Sequence, residues 1–171
     1  KDFEKTDFEE FEENRGSRRI NRVYRQLAVC PALYWDSTED ADALYLKNQR
    51  QWVGRYLREN MGGNLEIYRN AAFFALEADD CYGTVHPREA QISESVLLIC
   101  AEIQRRLEEG NIELQEDECI AMPESTFRDI IVGSRRKWKD AWSKEYGEMD
   151  EDRLVETILK YMEDWMMADR R

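Results

Sequence analysis

The sequence predicts an α+β chain, mostly helical, arranged as tandem winged-helix-like domains with a small β-hairpin wing. Three observations carry this. Leu65-Glu66-Ile67-Tyr68 and Ala71-Ala72-Phe73-Phe74-Ala75-Leu76 alternate in character about the polar pair Arg69-Asn70, the pattern of two strands and a turn. Helical periodicity flanks this stretch on both sides, and a lone hairpin is marginal in water, so helices must cover its apolar face. After an irregular stretch the pattern of helices begins again. The predicted division is an acidic N-terminal segment over 1–16, a first winged-helix-like domain over 17–78, a linker over 79–91 and a second such domain over 92–171. Nothing follows the last helix before Arg171, so the second wing is expected to be missing.

Composition bounds the function. At 171 residues, with 42% hydrophobic content, five Trp and eight Tyr, the chain has ample material for packed cores. A net charge of −12 repels a polyanion at long range, so any grip on nucleic acid must come from local basic patches or from a basic partner. Cys30, Cys81, Cys100 and Cys119 lie far apart with no Cys-x-x-Cys, and His86 is the single histidine, which argues against zinc. No cofactor is expected. No apolar run approaches the roughly 20 residues of a membrane span, and the charged start is no signal peptide. The expected setting is the cytosol with reduced thiols, and the missing initiator Met fits a fragment or a processed chain.

In chain order, residues 1–14 are acidic at most positions and broken by Phe3, Phe8 and Phe11, a fraying helix or a segment that docks on a partner. Arg15-Gly16-Ser17 is expected to interrupt it, with Ser17 capping a helix through Cys30 that buries Ile20, Val23, Tyr24 and Leu27. Arg15, Arg18, Arg19, Arg22 and Arg25 then form a dense basic patch, either a solvated face or a set of phosphate contacts. Pro31 stops the helix, 32–35 reads as a brief strand, and Asp36-Ser37-Thr38 offers caps. From 40 to 60 an amphipathic segment carries Leu46, Val53 and Leu57 on one stripe with Tyr45, Trp52 and Tyr56 beside it. It is long enough for two helices with a bend near 48–51. Lys47, Arg50 and Arg58 lie opposite the stripe and are candidate DNA-backbone contacts, together with Arg18, Arg19, Arg22 and Arg25. Met61-Gly62-Gly63-Asn64 ends the helix, and the hairpin follows with Leu65 facing Phe74 and Ile67 facing Ala72.

Residues 77–91 read as a linker, with His86 a surface residue. Ser93 is expected to cap a helix whose 96–101 run is apolar on nearly all sides and therefore buried. Residues 111–115 alternate weakly as a strand, Pro123 suits a first helical turn, and Phe127, Ile130 and Ile131 line the next helix. Arg135, Arg136, Lys137 and Lys139 surround Trp138, with Trp142 and Tyr146 at i+4 and i+8. This is either a nucleic-acid contact or an amphipathic helix whose tryptophans are core. Asp150 caps a last helix to about Ala168 on Leu154, Ile158, Tyr161, Met162 and Trp165. Trp165, Met166 and Met167 have no obvious cover within the chain and are a candidate partner or dimer surface.

The order of elements, the pattern Asn48-Gln49-Arg50-Gln51-Trp52-Val53-Gly54-Arg55-Tyr56-Leu57, the hairpin, and the apolar helix opening at Glu94-Ser95-Val96-Leu97-Leu98-Ile99 together resemble one family. The likeness, over about 21–169, is to the MukE-like subunits of bacterial SMC complexes, in particular those of Wadjet-type plasmid-defence systems. It implies a homodimeric tandem winged-helix protein, cytoplasmic and nucleoid-associated. Such a protein binds the kleisin subunit and helps an SMC ATPase hold DNA, and the ATPase and nuclease chemistry resides in other subunits. The resemblance carries over no catalytic residue. The alternative is a stand-alone winged-helix transcription regulator, which calls for a basic recognition helix, whereas the last helix carries Glu156, Glu163 and Asp164. For an enzyme there is no case: no Gly-rich phosphate loop, no Ser-His-Asp set and one histidine.

Overall fold

The computed structural model describes residues 3–35, 37, 39–77 and 86–170, with the backbone alone for 3–15. The fold is α+β and mostly helical, with one small antiparallel sheet. The chain divides into two compact units, Lys1–Cys81 and Tyr82–Arg171.

The first unit runs α1 (Phe3–Val29), β1 (Leu33–Tyr34), α2 (Ala41–Asn48), α3 (Arg50–Met61), β2 (Gly63–Ile67) and β3 (Ala71–Leu76), the element order of a winged helix. The strands pair antiparallel in the order β1-β3-β2. The hairpin register is the expected one, with Leu65 opposite Phe74 and Ile67 opposite Ala72. Tyr68 N–H donates to the Ala71 carbonyl across the Arg69-Asn70 turn. The stripe is buried as its spacing requires: Leu46, Val53 and Leu57 pack with Val23, Leu27, Trp35 and Ala72, and Leu65, Ile67 and Phe74 lie against them from the hairpin. Truncating one such leucine to alanine costs about 2–5 kcal/mol. The long segment does bend: Gln49 alone separates α2 from α3.

Two expectations at helix starts are corrected. α1 is continuous through Arg15-Gly16-Ser17, so Ser17 lies inside the helix and is no cap. A glycine in a helix interior costs only about 1 kcal/mol relative to alanine and does not by itself stop a helix. The cap of α2 is Asp40, whose carboxylate accepts from the Asp42 and Ala43 N–H groups. Asp36 and Thr38 lie outside the described residues, and Ser37 instead accepts from Glu39 N–H in a local turn.

The second unit holds α4 (Gln91–Glu108), α5 (Glu124–Lys137), a 3-10 helix (Lys139–Ala141), α6 (Lys144–Glu148) and α7 (Glu151–Asp164). Its core is Val96, Ile99, Phe127, Ile130, Ile131, Trp142, Leu154 and Ile158, with Trp138 half-buried at the edge. No strand occurs among its described residues, and the one expected at 111–115 is not formed. That stretch has no partner strand to satisfy it. Instead, Gln115 N–H donates to the Cys119 carbonyl and Glu118 N–H to the Gln115 carbonyl in a turn. Ser93 is not the cap of α4 either. It sits at the third helical position, fully buried, and its hydroxyl accepts from Arg88 N–H. The 96–101 run is buried on one side only, since Leu97 is exposed.

The stripe Trp138, Trp142, Tyr146 does not lie on one helix, because α5 ends at Lys137. Beyond that end the Gln91 side chain holds the chain in a non-α-helical turn. Its amide donates to the Ala141 carbonyl and accepts from Ser143 N–H, taking up backbone groups that a continuing helix would have paired. Asp150 caps α7 as expected, but that helix stops before Ala168. Met166 adopts φ of 56°, and the N–H groups of Met166 and Met167 donate to the Glu163 and Met162 carbonyls, a Schellman ending built without glycine.

Two glycines separate conformational need from tolerance. At Gly63 (φ +154°) an added Cβ would lie 2.4 Å from the Ala75 carbonyl oxygen, whereas at Gly16 it meets nothing within 4 Å. Gly63→Ala therefore destabilises the first unit by about 1–3 kcal/mol, and Gly16→Ala stabilises it by about 0.5–1 kcal/mol. Urea unfolding of the two variants checks the opposite signs.

Candidate nucleic-acid interface

A cation already paired within the fold has less charge to offer a phosphate. The candidate arginines and lysines divide on that basis. On α1, the Arg22 guanidinium forks onto both Asp42 carboxylate oxygens at 2.8 and 2.6 Å, and Arg19 lies 3.6 Å from the same carboxylate. These two staple α1 to the start of α2. Arg18 and Arg25 are exposed and have no ion-pair partner among the described residues. Lys47 turns to the hairpin, donating to the Arg69 carbonyl at 3.1 Å and lying over the Trp35 ring. In the second unit Arg135, with 15% of its side chain exposed, donates to the Met149 carbonyl and to Glu151. Lys137 reaches Glu102 at 3.4 Å and caps the Trp138 ring, while Arg136 and Lys139 stay exposed without an ion-pair partner among the described residues.

What the fold does gather is a groove between α3 and β2. Arg50, Arg55 and Arg58 line it with Gln51, Gly54 and Leu65, around a volume of about 480 Å³. Arg58 is held in place: its Nη2 donates to Asn64 Oδ1 at 2.6 Å and its Nε to the Gly63 carbonyl at 3.4 Å, which ties the end of α3 to the start of β2. Arg50 and Arg55 have no ion-pair partner among the described residues, and Glu59 is the single acidic residue of the lining. Arg55 is absent from the sequence-predicted contacts. Its signal was the spacing from Arg50 and Arg58 on a helix whose buried stripe is Val53 and Leu57. A second groove, in the other unit, is lined by Lys144, Glu145, Glu148, Met149, Asp150 and Arg153, with acidic groups that disfavour phosphate.

The expected partner surface divides as well. Trp165 is covered, its ring centroid 5.6 Å from His86 and 6.3 Å from Tyr161, while Met166 and Met167 are exposed. His86 is half-buried: its Nδ1 lies 3.0 Å from the Tyr161 hydroxyl and 3.2 Å from Ser93 Oγ, and burial lowers its pKa. Among the described residues no group of His, Cys, Asp and Glu is placed to hold a metal, and no helix is long and apolar enough to cross a membrane. Cys30, Cys100 and Cys119 are free thiols.

A family model described as "Protein of unknown function (DUF2398)" matches residues 1–171. The chain belongs to the DUF2398 family. No curated protein and no solved structure matches it.

In this DUF2398 chain the residue that organises the cations of the second unit is Glu102, 6% exposed. Its carboxylate accepts from Arg105, Arg106 and Lys137, and these hydrogen bonds, that of Arg105 foremost, hold its pKa at about 2. Arg105 and Arg106 stand at i+3 and i+4, a spacing readable from sequence; Lys137 comes from α5. A carboxylate whose folded pKa is depressed contributes stability that is present above its unfolded pKa and lost as pH falls through the folded value. Glu102→Gln is therefore expected to lower stability at neutral pH and to flatten the loss of stability between about pH 5 and pH 2. Chemical denaturation across that range reads both effects.

Proposed function

We propose that this chain is a non-catalytic accessory subunit of an SMC-type complex, of the MukE-like, kleisin-interacting kind. In this reading it helps the assembly hold DNA, in plasmid defence or chromosome maintenance, and works in the cytoplasm at the nucleoid as a homodimer. The observation that carries the DNA part is the groove between α3 and β2, where Arg50 and Arg55 stand without ion-pair partners among the described residues. On a chain of net charge −12 such a groove is a local, auxiliary grip, suited to a duplex that basic partners already hold. The winged-helix order of the first unit and the resemblance to kleisin-binding subunits support the partner part.

A stand-alone winged-helix regulator draws its support from one feature, the exposed arginines of α3 behind the tight turn at Gln49. The two readings differ in what the isolated chain does. Co-expressed with a kleisin and an SMC ATPase encoded beside it, the chain should co-elute with them on gel filtration, and alone it should bind duplex DNA weakly and without sequence preference. Sequence-specific binding by the isolated chain as tight as that of the assembly would instead establish the regulator. In the assembly, replacing Arg50 and Arg55 with Ala should weaken affinity for all sequences alike and flatten its salt dependence by up to about two units of slope. Replacing Arg135 and Lys137, already engaged by Glu151 and Glu102, should leave the slope unchanged.

A further inference from the structure

The flank of α3 beyond Arg55, which borders the arginine groove, carries a different surface. Trp52 and Tyr56, one turn apart, stack with ring planes 5° from parallel, and Tyr24 of α1 meets Tyr56 edge-on at 4.9 Å. Ile20 stands one turn before Tyr24 on α1. Trp52 is 64% exposed, Tyr56 46% and Ile20 38%, and the ring contacts join Trp52, Tyr56 and Tyr24 across the two helices, with Ile20 one turn along α1. Single exposed apolar residues need no explanation; a joined strip containing Trp and Tyr is the composition of an interface core.

The charges at its border indicate what covers it. Arg18 and Arg25 lie on α1 beside Ile20 and Tyr24, and Arg55 follows Trp52 by three residues on α3. None of the three has an ion-pair partner among the described residues, and among the described side chains of α1 and α3 the one acid is Glu59, three residues after Tyr56. The border is thus positive on a chain whose net charge is −12. We infer that this strip docks an acidic amphipathic helix of a partner protein, its apolar side on Trp52 and Tyr56 and its carboxylates toward Arg18, Arg25 and Arg55. The inference rests on the proposed partner-binding role. Arginine beside aromatic rings also suits single-stranded nucleic acid. Against that occupant, Ile20 offers a base nothing to stack on and Tyr56 already stacks on Trp52.

The test uses the full chain and two short labelled peptides of amphipathic helical pattern, identical in apolar positions, one with Glu and one with Lys at the polar ones. The acidic peptide is expected to bind and to blue-shift tryptophan emission, with affinity falling as salt is raised, while the basic peptide does not bind. Trp52→Glu, at a position already mostly exposed, should weaken binding about tenfold or more, and Arg25→Glu should weaken the acidic peptide and admit the basic one. Equal binding of both peptides, or binding indifferent to Trp52→Glu, overturns the inference. So does quenching of Trp52 by a single-stranded oligonucleotide, or light scattering in which Trp52→Glu turns a wild-type dimer into a monomer, since a base or a second copy would then occupy the strip. Co-elution with a kleisin reads the proposed function and the peptide titration reads the strip, so either can fail alone.

Discussion

The carbonyl oxygen of Arg69, at the tip of the hairpin, accepts from Trp35 Nε1 at 2.6 Å and from Lys47 Nζ at 3.1 Å. The turn, the end of the β1 strand and helix α2 thereby converge on one atom, with Trp35 N–H donating to the neighbouring Asn70 carbonyl. Much follows from this fastening. A hairpin of this size is marginal by itself, and its apolar side must stay against Leu46, Val53 and Leu57 for the register to persist. Slipping the register by one residue would turn Leu65 and Ile67 outward. The α3–β2 groove exists because the hairpin is held in this position, with Leu65 beside Gly54 of α3 and Arg58 bridging to Asn64.

With α3 held between the hairpin and α1, its two flanks are separated by the buried stripe of Val53 and Leu57 on one side and by Arg55 on the other. One flank presents cations in a concavity; the other presents exposed stacked rings. The groove is lined mainly by cations and the aromatic flank by rings, so the two suit different ligands, with Arg55 at the border of both.

The hairpin was legible in the sequence because a period of two, broken once by Arg69-Asn70, admits one pairing that buries Leu65, Ile67, Ala72 and Phe74 together. The Asp150 cap and the α2–α3 bend were legible for similarly local reasons. What sequence did not disclose depended on contacts distant in the chain or on local rules being overruled. Gln91 holds the turn that follows α5, about fifty residues downstream, by binding Ala141 and Ser143. Met166 takes a backbone conformation that ordinarily announces itself with glycine. Ser17 has the chemistry of a cap and lies mid-helix, because nothing at Gly16 compels the helix to stop. All three strands were visible, the third at 32–35, but Leu33–Tyr34 is too short for its pairing with β3 to be read from pattern.

Charge was the least legible property of the candidate site. The densest basic runs in the sequence are the arginines of α1 and the Arg135–Lys139 stretch. Carboxylates of other elements partly disarm both, Asp42 for Arg19 and Arg22, Glu102 and Glu151 for Lys137 and Arg135. The arginines of α3 are sparser along the chain yet converge in space, because residues 50, 55 and 58 all border the side of the helix that faces β2. A run of like charges in sequence attracts its own counter-charges when the chain folds, since leaving them unanswered costs electrostatic energy in the compact state. Cations that a fold leaves unanswered and gathered in a concavity are therefore a better guide to an anionic partner than cations that are adjacent in sequence.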